Sequence, residues 1–134
     1  MLFDACRFKL EEQYCQLELL CKDLSREFLE KRHISGKWSI GEHAAHLGRY
    51  HEIFLGRLRE ILTGRKPYFE RYVAENDAGF STWQQMQFRE LYFEMMARRS
   101  QLKHKLEDLA EGEWNKTGIH PKFGEMKLYE WMDY

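Results

Sequence analysis

Apolar side chains recur three and four residues apart over several long stretches of this chain, the spacing of one face of an α-helix. In residues 3–22 the stripe is Leu10, Tyr14, Leu17 and Cys21. A short turn of helix is expected over residues 25–30, and His33-Ile34-Ser35-Gly36-Lys37 reads as loop. The second stripe is Ile40, Ala44, Leu47, His51, Phe54, Leu58 and Ile61. Its start is marked chemically. Ser39 followed by Glu42 is a capping box: the hydroxyl accepts from the N3 amide and the carboxylate accepts from the cap amide. Trp38 stands just before it, placed to pack on the first turn, and Gly64 after Thr63 supplies the stop. The helix so bounded has about 24 residues and is about 36 Å long.

Residues 64–80, GRKPYFERYVAENDAGF, carry no such stripe. They read as a connection too long for a tight helix–helix turn, so a long crossover or a pocket-covering loop is expected, with Tyr68, Phe69 and Tyr72 as a lid over the core. Ser81 with Gln84 repeats the capping pattern and predicts a third helix to about Leu109, burying Phe88, Leu91, Met95, Leu102, Leu106 and Leu109. Residues 110–125 read as irregular. A fourth helix is expected from near Met126, with Leu128, Trp131 and Met132 on one face, and the sequence ends at Tyr134 without a Gly, a Pro or a basic last turn. About nine residues make a marginal helix and cannot span partners of about 24. The expectation is a helix cut short, its apolar groove covered by residues beyond Tyr134 or by a second copy.

Composition narrows the class. The 134 residues suit a single domain, 1–134, with a real core. Lys plus Arg (21) balances Asp plus Glu (22), so no bulk charge draws the chain to nucleic acid or anionic lipid. Asp4, Arg7 and Lys9 interrupt the first residues, which leaves no signal-peptide core. No run approaches the ~20 apolar residues of a membrane span. A cytoplasmic protein is expected. Cys6, Cys15 and Cys21 are odd in number and form no CxxC pair, which speaks for reduced, packed thiols over disulfides or a zinc site.

The chemistry concentrates in WSIGEHAAHLGRYHEIF, where His43, His46 and His51 fall within one helix. On an ideal helix His46 lies about 100° from Leu47 and about 40° from Tyr50, flanking the stripe and aimed inward. A neutral imidazole there either ligates Zn, Ni or Fe or hydrogen-bonds to a neighbouring helix. With two more imidazoles from a facing helix it would form a catalytic three-histidine site with an open position. His43, one turn earlier, either co-ligates or sits at the bundle edge. His51, inside the stripe, reads as a neutral buried histidine donating to a carbonyl or carboxylate, or as a support for a ligand. His120 precedes Pro121 and either shapes the turn into the last helix or serves as an acid–base group or substrate contact. Arg57, Arg59, Arg98 and Arg99 read as solvated helix faces, and His104 and His33 as solvated.

These residues also carry a resemblance. Trp38-Ser39-Ile40, Glu42 and His46-Leu47 resemble the W-[ST]-x-x-E-x-x-x-H-L signature that opens the second helix in the DinB/YfiT-like superfamily. Gly118-Ile119-His120-Pro121-Lys122-Phe123-Gly124, followed by Leu128, is similar to that family's H-P-E-x-G-x-x-x-L segment before its last helix. The resemblance covers the whole chain. It implies an all-α, antiparallel four-helix bundle with a long connection between helices 2 and 3. It also implies a divalent metal held by His46 and by two histidines of an H-x-x-x-H on the last helix. Hydrolysis or thiol S-transfer on a small molecule is the implied chemistry, with a low-molecular-weight thiol as cosubstrate. Tyr50, His43, His51 and His120 would stand around the ligand or the pocket. Three departures stand out: Lys122 replaces the Glu, Lys127 replaces a capping Thr, and the H-x-x-x-H does not occur before Tyr134. The contrasting expectation is a metal-free four-helix module, a homodimer, that works by contact.

Overall fold

The structure, a computed structural model, describes residues 4–133. Its elements are α1 (Asp4–Cys21), α2 (Arg26–Glu30), α3 (Ile40–Leu62), α4 (Ala78–Gln84), α5 (Phe88–Glu107), the hairpin strands β1 (Thr117–His120) and β2 (Gly124–Lys127), and α6 (Leu128–Asp133). Together α1, α3, α5 and α6 make a four-helix bundle. The capping box holds as read: Ser39 Oγ accepts from the Glu42 amide at 3.1 Å, and the Ser39 amide donates to Glu42 Oε2 at 2.7 Å. Arg32 pairs with the same carboxylate, and with these donors holds Glu42 at a pKa of about 2. At the far end Gly64 takes φ 76°, a left-handed stop that glycine adopts freely.

The long connection sets the direction of the helices. Ala44 and Ala45 share a core cluster with Leu91 and Met95, while Leu55, Leu58 and Ile61 share another with Leu102, Leu106 and Leu109. Low numbers meet low and high meet high, so α3 and α5 run side by side in the same direction. α1 runs against α5: Glu11 meets Lys103 at one level and Glu18 meets Tyr92 at another. Between the two apolar clusters lies a polar layer built on Glu52, which accepts from Arg49 at 2.9 Å, Arg98 at 3.0 Å and Trp83 Nε1 at 3.1 Å.

Three expectations need correction. Leu47 is 48% exposed, not in the seam; the buried face of α3 is Ala44, Ala45, Gly48, Leu55, Leu58 and Ile61. The reason is Trp83, which lies so close on Gly48 that a Cβ there would sit 2.2 Å from the indole. Ser81 does not begin the third long helix. It lies inside α4, which Asp77 caps by accepting from the Gly79 amide, and α5 starts at Phe88. The stretch read as irregular holds the β1–β2 hairpin, with Thr117 opposite Lys127 and His120 opposite Gly124. Pro67 and Phe69 of the connection bond to Ile119 and tie it to that hairpin. In α1, Leu10 and Cys21 are buried as expected and Leu17 is half-buried; Phe3 and the Tyr14 side chain lie outside the described residues. Cys6 and Cys21 are buried and Cys15 is exposed, and none of the three is in a disulfide. Among the described residues no helix is long and apolar enough to cross a membrane.

Candidate functional site

Along α3, His46, Tyr50, His51, Phe54 and Arg57 line one wall of a cavity of about 1040 Å³. Cys6, Lys9, Leu10 and Gln13 of α1 form the opposite wall. Arg99 and Leu102 of α5, residues 70–72 of the connection, the turn at His120-Pro121-Lys122 and Trp131 and Met132 of α6 complete it. The volume is that of a site for a small molecule.

His46 is half-buried in an aromatic cage. Its ring stacks on Tyr72 at 5.7 Å, tilts against Trp38 at 5.3 Å and meets Phe80 edge-on at 6.1 Å. Its Nδ1 is buried without a hydrogen-bond partner. A buried polar atom left unmet costs about 1–3 kcal/mol. Burial holds the His46 pKa below its usual 6.5, His43 pushes it the same way, and Glu75 opposes. The ring is therefore neutral at neutral pH, able to accept a proton or offer a lone pair.

His51 is committed elsewhere. Its Nδ1 lies 2.6 Å from the Leu47 carbonyl and so carries the proton, which leaves Nε2 to accept from Arg99 at 3.0 Å. Arg99 is buried, contrary to the solvated face expected, and ties this ring to α1 through the carbonyls of Lys9 and Leu10 and the Gln13 side chain. His120 is also buried. Its Nδ1 accepts the amides of Lys122 and Phe123, both at 3.1 Å, which shapes the turn and places the ring proton on Nε2. Its pKa is lowered first by burial, then by Arg57 and Lys122. Tyr50 lies in the wall beside His46 and Arg57. His43 is exposed, edge-on to Trp38, and outside the cavity lining. Arg57, read as a solvated face, is half-buried in the wall instead. Its spacing to His46 and Tyr50, at eleven and seven residues, was a signal for one shared face.

A metal ion does not find a complete donor set in this cavity. Among the described residues no three His, Cys, Asp or Glu side chains converge as an ion requires. Among the described residues His46 supplies one donor and not a complete set.

Comparison with known proteins adds two findings. Residues 9–133 match the model of the DinB superfamily. YfiT from Bacillus subtilis, described as "a probable metal-dependent hydrolase with an unusual four-helix bundle topology", superposes with a TM-score of 0.76. That match covers 96% of this chain and 74% of the other at 16% identity, a likeness of fold. No curated protein matches in sequence.

Proposed function

Because the chain belongs to the DinB superfamily, we propose that it is a small-molecule enzyme of the metal-dependent kind, a hydrolase or thiol S-transferase, working in the cavity between α1, α3 and the C-terminal hairpin. One observation carries the reading: a neutral imidazole, His46, stands in the cavity wall with a buried nitrogen that nothing else satisfies. Structural histidines in this fold look different, as His51 shows with both ring nitrogens engaged.

The described residues supply the proton handling and the orientation. His46, kept neutral by burial, keeps one ring lone pair at neutral pH. Tyr50 and His120 stand in the same lining. The apolar parts of Phe54, Leu102 and Trp131 line the cavity and limit water within it. A divalent ion, Zn, Ni or Fe, would take His46 as one ligand; its remaining donors are not among the described residues. Cysteines outside any disulfide fit a reducing cytoplasm, where a thiol cosubstrate is also stable.

The test is elemental analysis of the purified protein and of His46→Ala, with turnover of a model ester and of a thiol with an electrophilic acceptor. The expected result is a bound divalent ion and a measurable rate, both lost in the variant. Equal metal in the two proteins removes His46 from the site. A protein without metal or turnover that sediments as a dimer favours the contact module instead.

A further inference from the structure

We infer that the cavity takes an elongated small molecule bearing an oxyanion, a carboxylate or a phosphate, that sits on Arg57 while its reacting end lies at His46. The inference deepens the small-molecule reading and rests on it for the reacting end alone; the anion seat stands on its own geometry.

The first observation is charge. Lys9, Arg57, Arg71, Arg99 and Lys122 line the cavity against one acid, Glu70. Arg99 is consumed by α1 carbonyls and His51. Among the described residues no carboxylate reaches ion-pair distance of Arg57, although the acids elsewhere in the fold are well paired. A cation half-withdrawn from water without a counter-ion is unfavourable, and a bound anion relieves it.

The second observation is how Arg57 is held. Its guanidinium lies 5.3 Å from the Phe69 ring centre, 5.9 Å from Tyr50 and 6.0 Å from Trp131. Nη2 donates to the Glu70 carbonyl at 3.0 Å and Nη1 reaches the Tyr50 hydroxyl at 3.4 Å. The fork is thus fixed by rings and neutral acceptors, with N–H groups left over. A rigid, preorganised guanidinium is suited to grip a carboxylate or phosphate with two parallel bonds.

The third observation is convergence. The hairpin turn brings His120 and Lys122 to the same end, close enough that Arg57 and Lys122 both depress the His120 pKa. With its Nδ1 accepting two amides, His120 holds this turn in place. Two cations, Arg57 and Lys122, therefore meet there. Arg57 is about three turns beyond His46 and only about 20° around the helix, so the two ends of the cavity are about 16 Å apart along one face. A ligand that used both would be long, with its charge at one end.

Inorganic phosphate and succinate, with neutral succinamide as control, test the seat by ¹H–¹⁵N NMR on the intact protein. Either anion should shift the side-chain N–H signals of Arg57 and Trp131 saturably, and succinamide should not. Arg57→Gln should weaken the anion about tenfold or more, the loss expected for charge-assisted bonds, with Arg57→Lys intermediate and the exposed Lys122→Gln weaker than wild type. His46→Gln should leave anion affinity unchanged, which separates this inference from the enzyme reading: loss of turnover with retained anion binding upholds the seat. No saturable shift with either anion overturns it. So does unaltered affinity in Arg57→Lys and Lys122→Gln, which decides the matter even where Arg57→Gln does not fold.

Discussion

The imidazole of His46 and the phenol of Tyr72 lie face to face, ring centres 5.7 Å apart and planes 21° apart. The phenol is itself anchored. Its hydroxyl donates to Asp77 Oδ2 at 3.0 Å, and Asp77 is gripped by Arg49 at 2.7 and 3.1 Å. Those donors hold Asp77 at a pKa of about 2, and burial beside that carboxylate raises the Tyr72 pKa. An ion pair on one side of the connection thereby fixes the ring that covers His46. Tyr72→Phe keeps the stack and loses one hydrogen bond, so a cost of about 1 kcal/mol is expected with the His46 pKa unmoved. Tyr72→Ala should let water reach the imidazole and raise its pKa back toward the ordinary 6.5. NMR titration of the ring protons reads both, and an unchanged pKa in Tyr72→Ala would show that Tyr72 is not what keeps the ring dry.

Three histidines make the fold sensitive to mild acid. Burial is the leading cause that lowers the pKa of each of His46, His51 and His120 below 6.5. The unfolded chain then takes up protons at a higher pH than the folded one does. Stability is full above the ordinary value of 6.5 and falls as pH drops below it, down through the folded pKa values. The carboxylates act lower: Glu42 and Asp77, both at about 2 when folded, lose their contribution only below their ordinary 4.5 and 3.8. Melting temperature should therefore drop between pH 7.5 and pH 5.5, and His51→Gln should flatten that drop. A melting temperature constant over this range in the wild type would contradict the assigned burial.

Much of this was legible in the sequence, and what was not has physical causes. The capping box at Ser39 and Glu42 was readable because cap chemistry is local. The resemblance pointed to His46 through the spacing from Trp38. Leu47 was misplaced because a stripe of large residues counts Gly48 as empty, whereas Trp83, thirty-five residues on, makes that glycine the contact point. The hairpin was missed because strands of four residues carry too little alternation to register. Arg57 was missed as a site residue for a similar reason. An arginine on a helix ordinarily points to water, and the rings that enclose it, Phe69 and Trp131, arrive from two distant segments.

The Gly48 contact gives a direct test of the α3–α4 packing. A methyl group at this position would lie 2.2–2.8 Å from three indole carbons of Trp83, itself only 2% exposed. Neither partner has room to move. Gly48→Ala ordinarily gains helix propensity, about 1 kcal/mol, yet overpacking of a closed core costs about 1–3 kcal/mol or more. Net destabilisation is expected, seen as a lower urea midpoint. Gly56→Ala, on the same helix with open space around it, should be stabilising and serves as the control.

Glu52 makes the last prediction, and it concerns register. Its carboxylate is the shared acceptor for Arg49, Arg98 and Trp83, from α3, α5 and α4. Burial works to raise its pKa, but these three donors outweigh burial and the pKa is lowered. The apolar layers on either side would tolerate a slip of α5 along α3, since leucines replace leucines; the polar layer would not. Removing the acceptor leaves two guanidinium groups and an indole N–H without it, and all three residues are largely withdrawn from water. Glu52→Ala should cost about 1–3 kcal/mol. Glu52→Gln, which keeps an acceptor oxygen but not the charge, should cost less. The more telling readout is the denaturant slope and the dispersion of the NMR spectrum. A Glu52→Leu variant is expected to regain part of the stability through apolar burial while losing spectral sharpness, because nothing then distinguishes one register of α5 from the next. Sharp, wild-type-like dispersion in Glu52→Leu would show that apolar packing alone sets the register.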